Sequence, residues 1–182
     1  MEYLDIVDEN GIPTGEKIER SIAHKTGVRH RTSHLWLVRK RDEHVQVLIQ
    51  KRCLTKDSHP GCYDISSAGH IPAGSDFVPS ALRELSEELG VSATAEELIF
   101  CGLRRYHHKN VFHGKTFSDH QVSAVYILWR DIPEEQIHCQ PSEIESVRWI
   151  DLDELYEKLE NNLIPSCIRT EELDMIKQKL KG

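Results

Sequence analysis

The sequence contains no long hydrophobic run and no basic amino-terminal segment. No stretch approaches the roughly 20 apolar residues that a helix needs to span a bilayer, which argues against a membrane-spanning protein. The first five residues, MEYLD, lack the basic region and the following apolar run that mark a secretory signal. These absences predict a cytoplasmic protein with no membrane partner.

Paired cysteines and an excess of positive charge are also missing. The five cysteines are scattered, odd in number and without a Cys-x-x-Cys pair, which argues against a disulfide scaffold or a cysteine zinc site. The formal net charge is −7, and nucleic-acid phosphates repel an acidic chain, so we expect no nucleic-acid polymer as a partner. An acidic protein can still bind a small phosphate compound if metal ions supply positive charge.

The residues that are present fit one domain of moderate size. The chain has 182 residues, of which 38% are hydrophobic and 29% charged, and it shows no internal repeat. Hydrophobic patterning predicts strands at 3–7, 34–38, 45–49, 63–68, 98–103, 121–129 and 147–150. It predicts helices at 76–89, 151–159 and 171–180. This order of elements predicts an α+β sandwich, a mixed sheet with helices packed on its faces.

The stretch from residue 69 to residue 91, GHIPAGSDFVPSALRELSEELGV, is the most informative part of the sequence. Glu84, Glu87 and Glu88 stand at i, i+3 and i+4 and share one face of a helix, whereas an apolar face can pack on the sheet. Like charges at this spacing repel by roughly 0.2–0.5 kcal/mol per pair. Three converging carboxylates suit a hard cation such as Mg²⁺ or Mn²⁺, although a solvated acidic helix face gives the same pattern.

This stretch resembles the Nudix box, G-x5-E-x7-R-E-U-x-E-E-x-G-U, in which U is a bulky apolar residue. The matching positions are Gly69, Arg83, Glu84, Leu85, Glu87, Glu88, Gly90 and Val91. Ser75 stands where the box has its first glutamate, a residue that supports the metal site in the family. Two interpretations of Ser75 are open: it is the N-cap of the helix, or its missing carboxylate is partly replaced by Asp76.

The resemblance implies a hydrolase that cleaves a diphosphate linkage in a small molecule of the nucleoside diphosphate-X type, with Mg²⁺ or Mn²⁺. By resemblance, the catalytic residues are Arg83, Glu84, Glu87 and Glu88. The implied metal ligands are the backbone carbonyl of Gly69, the side chains of Glu84, Glu87 and Glu88, and a later acid, for which Asp119 and Glu143 are the alternatives. Arg83 is expected to orient one carboxylate through a bidentate pair.

Three basic side chains are predicted to contact the substrate. His70 is expected beside a phosphate group, and Lys51 and Arg52 follow a strand near the expected site, where an exposed strand end is an equal alternative. Substrate specificity is expected to come from two loops at residues 56–62 and 104–119. The second loop holds His107, His108 and His113.

The resemblance extends beyond the box to most of residues 30–160. Residues 143–155 resemble the strand and helix that close a Nudix domain, with Trp149 in the core. The expected division is a hairpin extension packed on the domain at 1–29, a Nudix domain at 30–165, and a C-terminal helix of the same domain at 166–182. A homodimer is common in the family and is expected on that ground.

The first 29 residues also resemble those of isopentenyl-diphosphate isomerases, which share the fold but shift a double bond. His24, His30 and His70 fall where the isomerase has its histidines. Ala68 replaces the isomerase cysteine and Gln121 replaces its glutamate, so neither proton-transfer group is present. The isomerase is therefore the weaker of the two enzyme interpretations.

A third interpretation is a binding or regulatory module that keeps the Nudix fold and catalyses weakly, which Ser75 motivates. The intact Arg83-Glu84 and Glu87-Glu88 pairs argue against it, because a non-catalytic protein has no physical reason to keep them. A hydrolase should bind Mg²⁺ or Mn²⁺ and lose activity when Glu87 or Glu88 becomes glutamine. A module would bind its ligand without turnover.

Overall fold

The computed structural model describes residues 1–112 and 114–182. In these residues the strands are β1 (Tyr3–Val7), β2 (Pro13–Glu19), β3 (His30–Arg41), β4 (His44–Arg52), β5 (Tyr63–Asp64), β6 (Ser67–His70), β7 (Ile99–Phe112), β8 (Lys115–Trp129) and β9 (Ile144–Asp151). The α-helices are α1 (Arg20–Thr26), α2 (Phe77–Leu89), α3 (Leu152–Glu160) and α4 (Thr170–Lys181). Short 3-10 turns lie at Ala95–Glu97 and Glu134–Gln136.

A mixed sheet lies at the centre of the fold. Its main path runs β5-β4-β3-β8-β7, with β6 paired to β3 and β9 paired to β4. Strands β3 and β8 are parallel, and the remaining pairs of this sheet are antiparallel. Strands β1 and β2 form a separate antiparallel hairpin. The predicted α+β fold with a mixed sheet is therefore confirmed.

Side chains that alternate along β3 give the sheet two apolar faces. Leu35 and Leu37 pack with residues of α2 on one face, whereas Trp36 and Val38 pack with residues of α3 and α4 on the other. The helices therefore form layers on both sides of the sheet. Trp149 is 8% exposed and belongs to the core on the α2 side, as its sequence context predicts.

Helix α2 begins and ends close to where the sequence predicts. The Asp76 side chain accepts a hydrogen bond from the Phe77 N–H at 2.7 Å and caps the helix. Gly90 follows the last turn with φ 65°, and its N–H donates to the carbonyl of Ser86. The interpretation of Ser75 as the N-cap is wrong, because the neighbouring aspartate takes that role.

The segment predicted as a loop at residues 104–119 is instead a long hairpin formed by β7 and β8. Its pairing continues from Ile99 opposite Ile127 to Phe112 opposite Lys115. The arms extend past the sheet core and carry polar side chains on both faces, so the apolar alternation that marks a strand is missing. Backbone pairing rather than burial holds this part of the hairpin. His113, part of the predicted loop, lies outside the described residues.

A buried charged network attaches α4 to the sheet. Glu172 is 2% exposed; its carboxylate accepts hydrogen bonds from Trp36 Nε1 at 3.0 Å and Arg104 Nη1 at 3.2 Å and lies 2.7 Å from His34 Nδ1. Burial opposes the charge on His34, but the carboxylate of Glu172 outweighs it and raises the His34 pKa. Burial likewise opposes the charge on Glu172, but His34 and Arg104 together lower the Glu172 pKa.

Replacing Glu172 with glutamine is expected to lower the free energy of unfolding by about 3–5 kcal/mol, because two cationic side chains lose a buried counter-charge. The His34 contribution is present below its ordinary pKa of 6.5 and is lost as pH rises through the raised folded pKa. The Glu172 contribution is present above 4.5 and is lost as pH falls through the lowered folded pKa. Urea unfolding across pH should show the largest loss between those two values. A loss that does not change with pH would contradict this account.

The N-terminal residues form β1, β2 and α1, and they pack against β3 and the hairpin strand β8. The division of the chain into parts at residues 30 and 165 stays a prediction. No helix in the described part of the chain is both long and apolar enough to cross a membrane.

Candidate metal and substrate site

Helix α2 presses two of its glutamates against strand β6. A Cβ added at Gly69 would clash with the carboxyl group of Glu84, so the absence of a side chain at Gly69 lets this carboxyl group lie against β6. Glu88 is 8% exposed, and its Oε2 accepts a hydrogen bond from the Ala68 N–H at 3.2 Å. The β6 backbone therefore forms a cradle that fixes where both carboxylates lie.

Arg83 holds the two outer carboxylates of the helix. Its Nη2 donates to Glu84 Oε1 at 2.6 Å, and its Nη1 donates to Glu87 Oε2 at 3.2 Å. From the sequence, Arg83 is expected to orient one carboxylate, whereas in the structure it pairs with two. Glu87 is 54% exposed, in contrast to the buried Glu88. The three glutamates therefore occupy one helix face but differ strongly in their access to water.

The carboxylates of Glu88 and Glu84 are electrostatically suited to a cation. Burial raises the pKa of Glu88 to about 7, against the opposing hydrogen bonds from Ser67 and the Ala68 backbone. Burial also raises the pKa of Glu84, against the opposing charge of Arg83. A divalent cation favours the ionised form of such groups, so the donor set fits a metal that prefers oxygen ligands.

Three histidines form a second cluster near the end of β6. The ring nitrogens of His24, His30 and His70 lie within 4.8 Å of one another, and His24 Nε2 is 3.0 Å from His70 Nε2. Among the described residues the α2 glutamates do not form such a close group. The expected convergence of three carboxylates on one point is therefore not seen.

The chemistry of this histidine cluster also fits a metal. Burial lowers the pKa of His24 to about 3 and that of His30 to about 4, and it lowers the pKa of His70 well below the ordinary value. The imidazoles are therefore neutral, as metal binding requires. Nδ1 of His24 and Nε2 of His30 are buried and lack a hydrogen-bond partner among the described residues.

Asp119 lies beside this second cluster. One of its carboxylate oxygens is 3.8 Å from His24 Nδ1 and accepts a hydrogen bond from Gln121 Nε2. The alternative acid, Glu143, forms an ion pair with Lys56. The structure therefore brings Asp119 to the histidines, and its predicted role as a ligand alongside the α2 glutamates stays untested.

The two β4 side chains that are predicted to contact phosphate already form ion pairs with carboxylates. Lys51 Nζ lies 2.8 Å from Glu145 Oε1, and Arg52 Nη1 lies 3.0 Å from Asp64 Oδ2. Arg52 also donates to the carbonyl of Ser58 at 2.9 Å. A phosphate would therefore have to compete with these carboxylates, and the two contacts stay predictions.

Sequence reasoning missed Arg20 at the start of α1. Its Nη1 donates to Glu2 Oε2 at 2.9 Å, and its charge affects the pKa of Glu84 and of His70. Arg20 therefore lies within electrostatic range of both the α2 carboxylates and the histidine cluster. No motif marks this position, so only the fold brings it to the site.

An open cavity of about 590 Å³ borders Arg83 of helix α2. Its lining residues are Met1, Glu2, Tyr3, Lys17, Pro72, Ala73 and Arg83. The N-terminal hairpin therefore supplies one wall of a space that borders Arg83. This space is large enough for a sizeable part of a small molecule.

Comparison with known proteins shows which family shares this glutamate-bearing helix packed on a mixed sheet. The NUDIX domain family profile matches residues 28–167. An uncharacterized Nudix hydrolase of Clostridium acetobutylicum is 35% identical over 162 residues, which cover 89% of this chain and 76% of that one. The chain belongs to the Nudix family and is a hydrolase of that family. Nudix enzymes generally use divalent metals and act on small molecules.

Solved structures carry the same fold. The crystal structure of a Deinococcus radiodurans protein superposes with a TM-score of 0.65 at 20% sequence identity, and the match covers 91% of this chain and 92% of that chain. At this level of identity the similarity concerns the fold alone. It supports the layered arrangement in which α2 packs against the sheet.

The chain is also similar to an isomerase. An isopentenyl-diphosphate Delta-isomerase of Streptomyces coelicolor is 29% identical over 155 residues, which cover 85% of this chain and 74% of that one. In this chain Ala68 packs beside the apolar cluster under α4, and Gln121 donates a hydrogen bond to Asp119. Neither side chain can act as an acid or a base, so the two isomerase proton-transfer positions carry inert groups.

Proposed function

We propose that this protein hydrolyses a diphosphate linkage in a small molecule of the nucleoside diphosphate-X type. Mg²⁺ or Mn²⁺ would be held by Glu84, Glu87, Glu88 and the backbone carbonyl of Gly69. The observation that carries the proposal is the β6 cradle, in which Gly69 leaves room for the Glu84 carboxyl group and the Ala68 N–H binds the buried Glu88 carboxylate. Burying the Glu88 carboxylate raises its pKa and costs stability, so a purely structural role does not explain it.

The chain's own residues divide the remaining work. When bound, the divalent metal neutralises phosphate oxygens and activates or positions the attacking water. Arg83 keeps Glu84 and Glu87 oriented, so that little reorganisation is needed when substrate binds. Glu88, held in place by the Ala68 N–H, would bind the metal or accept a proton from the attacking water. The positive charge of Arg20 would favour a phosphate group nearby, in competition with its partner Glu2.

Incubation of the pure protein with a panel of diphosphate compounds tests this proposal. The panel contains nucleoside diphosphate sugars, dinucleotides, coenzyme A, modified nucleoside triphosphates and isopentenyl diphosphate, each with Mg²⁺ or Mn²⁺. We expect phosphate-containing products from at least one compound, and their loss when the metal is chelated. If metal binds and no compound is cleaved, the weakly catalytic binding module replaces the hydrolase.

The histidine cluster favours a second candidate function, an isomerase-type reaction on isopentenyl diphosphate. Ala68 and Gln121 weigh against it, since neither side chain can move a proton. We therefore expect no shift of the double bond when isopentenyl diphosphate is incubated with the protein, Mg²⁺ and Mn²⁺. Proton nuclear magnetic resonance of the substrate measures this directly. Appearance of the isomer would contradict the assignment of those two positions as inert.

The setting of the activity is part of the same proposal. We place the enzyme in the cytoplasm and expect a homodimer, with neither a nucleic-acid polymer nor a membrane as a partner. The negative net charge and the scattered cysteines support this setting. Light scattering of the pure protein measures the oligomeric state.

A further inference from the structure

The loop that joins β6 to α2, residues 71–76, decides how the glutamate helix meets its cradle. It connects Gly69 to the first turn of α2, so a displaced loop would displace Glu84. This loop contains Ser75, where the family has a supporting glutamate. Ser75 cannot supply that carboxylate.

Strand β1 of the N-terminal hairpin lies along this loop. The Ala73 N–H donates to the carbonyl of Tyr3 at 2.8 Å, and Leu4 forms an isolated bridge with Pro72. The loop is therefore paired to the N-terminal strand as if it were a short extra strand. This pairing brings the next residue of β1, Asp5, to the turn of the loop.

A buried ion pair fixes the turn itself. The Asp5 carboxylate accepts hydrogen bonds from the Gly74 N–H at 2.8 Å and from Arg31 Nη2 at 3.2 Å. The same Arg31 nitrogen donates to the Ser75 carbonyl at 2.8 Å. The side chains of Asp5 and Arg31 are only 9% and 7% exposed. Both charged groups thus bind the backbone of the two residues that form the turn.

The pair also reaches the start of α2. The Arg31 guanidinium lies 5.3 Å from the centre of the Phe77 ring and 3.8 Å from the capping carboxylate of Asp76. Gly74 has φ 81°, a left-handed conformation that glycine adopts readily and that leaves its N–H directed at Asp5. A buried ion pair is weak evidence for stability, so its contacts with one loop indicate a role in geometry.

We propose that Asp5 and Arg31 are positioning residues of the α2 metal site. Asp5 from the N-terminal hairpin and Arg31 from β3 hold residues 71–76, and the hairpin supplies the supporting carboxylate that Ser75 lacks. This inference rests on the proposed function, because positioning has a purpose only if α2 binds metal. It makes the hairpin part of the catalytic apparatus rather than an accessory.

The test compares Asp5→Asn with a matched control, Glu172→Gln, which removes an equally buried carboxylate paired with an arginine on the other side of the sheet. Calorimetry measures Mn²⁺ binding, and the sites lost in Glu88→Gln define the α2 site. We expect Asp5→Asn to weaken that site by about tenfold, as the loss of an outer hydrogen-bond partner does. The control should lower the free energy of unfolding at least as much as Asp5→Asn does, and its Mn²⁺ affinity should stay within about twofold of the wild-type value.

Hydrogen exchange on the metal-free protein gives a second, independent readout. The Gly74 amide should exchange faster in Asp5→Asn and keep its wild-type rate in Glu172→Gln. Arg31→Lys keeps the charge with fewer hydrogen-bond donors and is the test variant if Asp5→Asn fails to fold. It should weaken Mn²⁺ binding at the α2 site by less than tenfold but more than the control does. Unchanged Gly74 exchange, or equal losses of Mn²⁺ affinity in test and control, would overturn the inference. Absence of Glu88-dependent Mn²⁺ binding would instead sink the proposed function, while Gly74 exchange still decides whether Asp5 holds the loop.

Discussion

Replacing Glu88 with glutamine is expected to lower kcat by about 10³-fold. The amide keeps the size of the side chain and can still accept the Ala68 N–H, but it neither binds a divalent metal well nor accepts a proton. The fold should therefore persist while catalysis is lost. Steady-state turnover of the best panel substrate with saturating Mg²⁺ measures the effect.

The same substitution is expected to stabilise the metal-free protein. Burial raises the Glu88 pKa from 4.5 to about 7, so the folded state loses stability as pH rises through this interval. Glutamine has no such loss, and above about pH 7 the variant should be more stable by on the order of 3 kcal/mol. Urea unfolding with a chelator present, at about pH 5 and pH 8, measures the difference. A variant less stable than wild type at pH 8 would show that Glu88 is structural.

Glu87→Gln is the matched control for that experiment. Glu87 stands one residue earlier on the same helix face, and its side chain is 54% exposed. Its replacement should reduce turnover without stabilising the metal-free protein, because water already solvates this carboxylate. Equal stabilisation by both variants would point to charge repulsion along the helix as the cause.

Gly69→Ala is expected to lower turnover by about 10²-fold and the free energy of unfolding by about 1–3 kcal/mol. The added methyl group would overlap the carboxyl group of Glu84, so either the side chain or the helix must shift. Turnover and urea unfolding measure the two effects. A neutral alanine would show that the cradle around this carboxylate is not needed.

A double-mutant cycle separates the clash with Glu84 from other effects of the alanine. In a Glu84→Ala background the added methyl group meets no carboxyl group, so Gly69→Ala should cost close to nothing. The interaction energy is then about as large as the single-variant loss. If Gly69→Ala is equally costly in both backgrounds, the backbone rather than Glu84 requires glycine.

The parts of the molecule that the sequence predicted well are those with strong local signals. The sequence predicts helix α2 to within one residue because the apolar stripe and the Gly90 stop signal both lie within or next to the segment itself. Strands β3 and β4 were recognised from apolar runs, although both extend further than predicted. The hairpin arms of β7 and β8 were mistaken for a loop, because their strand character comes from pairing rather than burial.

The site residues that could not be predicted from the sequence are those whose positions depend on contacts between distant segments. Asp5 and Arg31 are 26 residues apart, and neither belongs to the box, so no motif indicates their contact with the loop. Arg20 reaches the site only through the position of α1. Lys51 and Arg52 were correctly placed at a strand end, but the carboxylates that pair with them come from later segments.

Cleavage of the best panel substrate in water enriched in ¹⁸O tests the central claim most directly. If α2 binds a metal that directs water to phosphorus, mass spectrometry should find one ¹⁸O in a phosphate-containing product for each bond cleaved. That product should disappear in Glu88→Gln and when the metal is chelated. Unchanged cleavage in Glu88→Gln, or conversion without ¹⁸O in any phosphate product, would contradict the account.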